Sequence, residues 1–405
     1  MRVNLDLMRG WWFRAAIAVV SVARPGAAED MEARTSPAPL GVPIYVASPL
    51  DGGAIAIDGR WQEPAWRETA LGWGLSHAHE PDLLCPDPTL FRIGYDQESL
   101  YLALAGYQRD AQEELPEHIW KPQESGMMDM QAVPRHARER GIVPPINTIQ
   151  VLISKSGRTV TLTFAPPKIP TAKVHDTLGE RELELKLEHA YGGDPEKALW
   201  TGETRIAWSQ LGFEPPAEGE DWALNLYREI RFLSNWSFIA WMRDWNKAEY
   251  SRYQMTDRFG RLIFAGQTTE PESIESAAKK WAARRGPVRV FTAEALLLVN
   301  TDGRIVRQRY ADRVKVLRAY ADGIRRQRSQ IGSDLPYYPF FTEKKPREHL
   351  APAGRRLSRL FDAAREAPLL DDPACAVARI SHAIPEAREG LYTYKKERLY
   401  RGLPE

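Results

Sequence analysis

The feature that most constrains this chain is a series of short β-branched runs, each closed by a tight turn. Thr148-Ile149-Gln150-Val151-Leu152-Ile153 and Thr159-Val160-Thr161-Leu162-Thr163-Phe164 flank Ser154-Lys155-Ser156-Gly157. Alternation with a period of two sends one row of side chains toward a core and the next away from it, and a turn closed by Gly joins the two runs as a hairpin. The runs from Leu90 to Tyr95 and from Leu100 to Ala105 repeat the pattern around Asp96-Gln97-Glu98-Ser99. Further strands are expected at 54–57, 183–187, 200–206, 222–228 and 261–264. This spacing predicts a mainly β fold, an antiparallel β-sandwich. Residues 108 to 146 break the pattern; they are charged, Met-rich and bounded by Pro, and read as a long loop with some helix.

Beyond Gly266 the character changes to that of helices. Residues 272–285 have helical composition, Thr292 is placed to cap a helix over 293–299, and Ile305, Tyr310, Val314, Leu317, Ala321 and Ile324 recur at helical spacing. Residues 355–365 and 373–383 give two more helices. This part holds 27 Lys/Arg against 18 Asp/Glu, whereas the whole chain carries a net charge of only +1. So small a net charge excludes a dedicated nucleic-acid binder. The basic face between Arg304 and Arg328 reads as solvated, with an acidic glycan or a protein partner as the sharper alternative.

At the start, Arg2, Arg9 and Arg14 precede the apolar run from Ala15 to Ala23, and Gly26-Ala27-Ala28 offers a cleavage site before Glu29. The run is too short to span a bilayer and fits a secretory signal. The expected layout is a signal peptide at 1–28, a flexible Pro-rich leader at 29–43, the sandwich at 44–266 and a helical C-terminal extension at 267–405. No other stretch is apolar enough for stable membrane insertion. The two cysteines, Cys85 and Cys375, have no metal-binding spacing; in an exported chain they are free to pair or to stand as buried hydrophobes.

Ile57-Asp58-Gly59-Arg60-Trp61-Gln62-Glu63-Pro64-Ala65-Trp66 resembles the opening of family 9 carbohydrate-binding modules and their relatives. There a strand turns at Asp-Gly, Glu-Pro starts a helical turn, and a Trp drops into the core. Four later segments are similar to that family in the same order. They are the hairpin Phe91 to Leu104, then Glu203-Thr204-Arg205-Ile206-Ala207-Trp208 with Leu211-Gly212, then Trp222-Ala223-Leu224-Asn225-Leu226-Tyr227-Arg228, and finally Trp241 with Phe259 to Phe264. Ala207 stands where the family has proline.

The resemblance implies a noncatalytic sandwich that grips an oligosaccharide or polysaccharide between aromatic side chains, with polar groups on its hydroxyls. Aromatic faces match the apolar faces of sugar rings. Carried over by position, one aromatic clamp falls on Tyr253, with a polar position near Tyr250, and the other falls at Pro144-Pro145, where Trp120 is the available substitute. A carboxylate position falls on Gln150 and a basic one on Thr163, so hydrogen bonding survives without the charge. Trp241 completes the expected set. No cofactor is called for, although the resemblance allows structural calcium.

Trp66, Trp200 and Trp222 read as core, while Trp236 and Trp245 are loop aromatics suited to a platform or a satellite core. Arg228 beside Glu229 reads as a structural ion pair, and Asn225 as structural. Other functions stay open. A glycan hydrolase needs two carboxylates flanking the bond, and no recognisable pair is present. Haem ligation by Met127, Met128 or Met130 with His118 or His136 has the right ligand types. A sandwich serving only protein–protein docking is the remaining alternative.

Overall fold

Val42-Pro43-Ile44-Tyr45-Val46-Ala47, an apolar run with no alternation, becomes the central strand of the protein. In the computed structural model it forms β1 (Val42–Pro49), with Ile44, Tyr45, Val46 and Ala47 all buried. The structure describes residues 41–51, 53–77, 84–85, 88–107, 147–194, 199–230, 237–240, 256–266, 269–334, 344–365 and 372–400. The strands that follow are β2 (Ser76–His77), β3 (Thr89–Tyr95), β4 (Ser99–Tyr107), β5 (Asn147–Lys155), β6 (Arg158–Ala165), β7 (Lys168–Asp176), β8 (Gly179–Leu183) and β9 (Glu188–Asp194). They continue with β10 (Leu199–Ala207), β11 (Asp221–Ile230), β12 (Ser237–Ala240), β13 (Gly260–Phe264), β14 (Val288–Phe291), β15 (Ala295–Val299) and β16 (Ile305–Arg309). The helices are α1 (Pro64–Arg67), α2 (Trp208–Leu211), α3 (Pro271–Arg285), α4 (Tyr310–Asp334), α5 (Lys344–Arg365) and α6 (Pro373–Tyr400).

The strands form a curled, mostly antiparallel sheet in two wings that share β1. One wing runs β8-β7-β6-β5-β11-β13-β1 and continues through β14, β15 and β16; the other runs β1-β3-β4-β10-β9. β1 lies parallel to β13 and β14 along Val42 to Ala47, then hands its last residues, Ser48 and Pro49, to β3. The wings face each other across an aromatic core. Tyr95 of β3 meets Phe264 of β13 edge-on at 5.0 Å, and Trp208 meets Trp222 at 5.7 Å. Arg228 of β11 reaches across as well, donating to Thr89 Oγ1 at 3.0 Å and to the Tyr107 carbonyl at 2.5 Å. This is a β-sandwich.

Local chemistry explains the turns. Ser156 and Gly157, between β5 and β6, both have positive φ (52° and 79°), the geometry that matches the twist of a two-residue hairpin. Glu203, buried on β10, accepts hydrogen bonds from Gly59 N (2.7 Å), Asp58 N (3.1 Å) and Trp66 Nε1 (2.6 Å). The Asp-Gly turn and the Glu-containing strand, far apart in sequence, are therefore one bonded unit.

Two layers cover the outer faces. α3 lays Ala278 and Ala282 on Ile44, Val46, Ile263, Val288 and Val290. On the other wing, Arg92 of β3 donates to the carbonyls of Trp66 (2.6 Å) and Thr69 (2.5 Å) and pairs with Asp372, all of it buried. Asp372 also caps α6, accepting from Ala374 N at 2.8 Å ahead of Pro373 at the first helical position.

Several sequence expectations need correction. The tail is not purely helical: β14, β15 and β16 occupy 288–309, and β14 extends the sheet from β1. Thr292 closes the β14–β15 turn, its Oγ1 accepting from Ala295 N at 3.1 Å, and Ala295–Val299 is a strand. A short, wholly buried apolar run reads alike as helix or strand, so periodicity decides nothing there. The leader reading ran through Val42 and Pro43, which belong to β1. Residues 54–57 form no strand; their alternation leads into a turn held by the Glu203 side chain instead of by a neighbouring strand. β7 and β9 were not anticipated, and β8 ends at Leu183, where the expected strand began. Both cysteines are buried and form no disulfide with each other.

Candidate functional site

Alternation along β5 sends Ile149 and Val151 into the inter-wing core and leaves Gln150 on the opposite face. Register then builds a row across four strands: Tyr227 of β11 lies opposite Gln150, Gln150 opposite Thr163 of β6, and Thr163 opposite Thr171 of β7. Directly opposed residues have Cβ atoms about 5 Å apart, so the row sets an amide and two hydroxyls along roughly 10 Å of one sheet face. Gln150 and Thr163 are half-buried, Thr171 is exposed, and Tyr227 is buried at the inner end. The next row on this face, Asn225–Leu152–Thr161, is buried and again largely polar. The first row offers hydrogen bonds in both directions and carries no charge, whereas the second continues onto Lys173 of β7, which pairs with Glu180 at 2.6 Å.

Of the six residues expected to contact sugar, Gln150 and Thr163 are thus brought together as a register pair. Tyr253, Trp241, Tyr250 and Trp120 lie outside the described residues, as do Trp236, Trp245 and the Met and His residues of the haem reading. Trp66 and Trp222 are core residues, whereas Trp200 is only half-buried. Trp208 is an additional core tryptophan, its indole donating to the Asp96 carbonyl at 2.9 Å. Arg228, expected to be structural, is fully buried, and the side chain of Glu229 lies outside the described ones. Strand alternation turns Arg228 into the core, onto Thr89 and the Tyr107 carbonyl.

A cleft of about 730 Å³ lies elsewhere, where β1 hands over to β3. Tyr95 and Leu50 form part of its wall, and Asp51, Asp96, Glu98, Glu218 and Arg205 give it mixed charge with an acidic excess. Much of that acid is structurally engaged. Asp96 Oδ1 accepts from the backbone of Glu98 (2.8 Å) and Ser99 (2.7 Å), and Oδ2 from Tyr101 Oη (2.8 Å). Burial, and then that carboxylate, push the Tyr101 phenol up to about 12. The sequence signal for this cleft was the Tyr95-Asp96 turn, which marks a hairpin and carries no hint of the concavity beside it. Neither Gln150 nor Thr163 lines it.

Among the described residues no group of three or more His, Cys, Asp or Glu side chains comes together to hold a metal ion, and no helix is long and apolar enough to cross a membrane. Glu203 has its carboxyl held above the usual range, burial outweighing the hydrogen bonds that favour its charged form.

Comparison with protein-family models and with curated proteins gives no match. Among solved structures, a protein of Bacteroides uniformis provisionally described as carbohydrate-binding is 11% identical with a TM-score of 0.37, over 55% of this chain and 99% of that one. A family 9 carbohydrate-binding module of Caldicellulosiruptor kristjanssonii in complex with glucose is 14% identical with a TM-score of 0.34, over 56% of this chain and 98% of that one. The same identity and TM-score relate the chain to a family 9 module of that organism in complex with cellotriose, over 56% of this chain and 95% of that one.

Proposed function

We propose that this protein is an exported, noncatalytic carbohydrate-binding protein that supports polysaccharide breakdown, and that it holds its sugar on the polar face of β5 and β6. The observation that carries this reading is the register row Tyr227–Gln150–Thr163–Thr171, an uncharged set of donors and acceptors on the face turned away from the core. Sugars are recognised by such groups together with an aromatic surface, and the sequence resemblance assigns that surface to Tyr253, Trp241, Tyr250 and Trp120. The resemblance has structural support of its own, because Gly59 and Trp66, from one of its segments, both donate to Glu203 of another. Export rests on the N-terminal apolar run and its small-residue cleavage site.

The test uses the chain recovered from the periplasm or medium of its host, with its N-terminus expected near Glu29. A glycan array on this material identifies the bound sugar, and calorimetry on that sugar compares Gln150→Ala and Thr163→Val with wild type. Loss of one hydrogen bond each predicts roughly a three- to tenfold weaker affinity with an unchanged melting temperature. A chain that retains no glycan, or variants that bind like wild type, would overturn the proposal.

A further inference from the structure

The cleft where β1 hands over to β3 shares no residue with the polar face of β5 and β6, and its walls are fixed by the backbone. The chain leaves β1 through Pro49, Leu50 and Asp51, and Leu50 N donates to the Tyr95 carbonyl at 2.7 Å, which ties this exit to the β3–β4 turn. Ala54 N closes the exit loop on the Asp51 carbonyl at 2.9 Å. Asp96 commits both carboxylate oxygens to the β3–β4 turn and to Tyr101, so Gln97 and Glu98 project to solvent from a braced turn. The space that these segments line, about 730 Å³, lies within the range of about 300–1,000 Å³ typical of small-molecule sites.

The lining offers both kinds of hydrogen-bonding group. Asp51 and Gln97 are exposed, and neither side chain has a partner among the described residues. Arg205 donates to Ser99 Oγ at 3.3 Å, while Glu98 and Glu188 stand 3.8 and 4.0 Å from its guanidinium, beyond hydrogen-bond distance, so most of its donors are open. Pro49, Leu50 and Pro216 add apolar surface. A ring bearing hydroxyls needs this combination, because each hydroxyl both donates and accepts and the ring carbons present an apolar side. Charge narrows the choice further. Asp51, Asp96, Glu98 and Glu218 face Arg205 alone, and a concave site with an excess of one charge concentrates ligands of the opposite sign. No three of these carboxylates converge to hold a metal ion, so the spread of negative charge suits ammonium groups carried on a larger ligand.

We propose that this cleft is a second carbohydrate site, one that takes amino sugars whose amine is free and protonated. Asp51 and Glu98 receive the ammonium group, Gln97 and Arg205 bond ring hydroxyls, and Pro49, Leu50 and Pro216 form the apolar wall. Sugars bearing carboxylates or sulfates are repelled by the same charge.

The experiment is calorimetry on the full chain at low ionic strength and at a pH where the amine is protonated. Three probes separate the contributions: a β-1,4-linked glucosamine trimer, cellotriose, which carries hydroxyls in place of the amines, and spermidine, which carries amines without a ring. One glucosamine trimer per chain is expected, bound at least tenfold more tightly than spermidine. Replacing Asp51→Asn and Glu98→Gln together should weaken the trimer at least tenfold, leave any cellotriose binding as it was, and leave the melting temperature unchanged, since both side chains are exposed. Absence of trimer binding, equal trimer affinity in the double variant, or spermidine binding as tight as the trimer overturns the proposal. Loss of trimer binding in Gln150→Ala would put the ligand on the β5–β6 face and overturn it as well. Failure of the β5–β6 site shows instead in cellotriose binding and leaves the trimer result standing.

Discussion

Glu203 and His382 are buried titratable groups with opposite consequences for stability. Glu203 serves three donors at once, Gly59 N, Asp58 N and Trp66 Nε1. Replacing it with Ala strands those donors, and a loss of about 3 kcal/mol is expected in urea unfolding, with a smaller loss for Gln, which keeps one acceptor. Its carboxyl is raised in the folded state, so its contribution is full below the ordinary carboxylate range and declines as pH rises through the raised value. His382 runs the other way. Burial, and then the fields of Arg289 and Arg228, bring its imidazole down from 6.5 to about 4 against the opposing bond to Cys85. Its contribution is therefore full above pH 6.5 and lost as pH falls toward 4, to a limit of about 3 kcal/mol. Unfolding measured across that window should be flatter in His382→Gln than in wild type; identical slopes would remove His382 as the cause. The pairing of Gln150 with Thr163 was legible in the sequence because it follows from the turn between their strands. Arg92 with Asp372 was not, because nothing local records a partner 280 positions away.

Elements were legible in proportion to how one-sided they are. The hairpins β3–β4 and β5–β6 have clear turns, and α3 and α4 carry buried residues at helical spacing. β1 and β15 are buried on both faces, so neither alternation nor a helical stripe marks them; the first two residues of β1 were read as the end of a leader, and β15 was read as a helix. The correction moves the expected cut point of the sheet. Ending the chain after residue 265 removes α3 and the β14–β16 hairpin, uncovering Ile44, Val46 and Ile263. Ending it after residue 309 keeps that layer and removes only the three long helices. The longer fragment should unfold cooperatively, and the shorter one should bind a hydrophobic dye and lose its sharp transition. A shorter fragment with a sharp, dye-free transition would show that the sandwich closes without β14.

On the scale of the whole molecule, β1 ties the architecture together. It lies near the beginning of the chain, yet its neighbours β13 and β14 are Gly260–Phe264 and Val288–Phe291. The wings share no other strand on the path between them. A chain growing from its N-terminus therefore has no partner for Ile44 to Ala47 until more than two hundred further residues have been made. Pairing over so long a separation requires a large loop to close before any contact rewards it, which makes folding slow. Vectorial synthesis thus leaves β1 without these sheet neighbours until residues 260–291 have been made. A chain that stays open in this way is what the export proposed above, as an unfolded thread, requires.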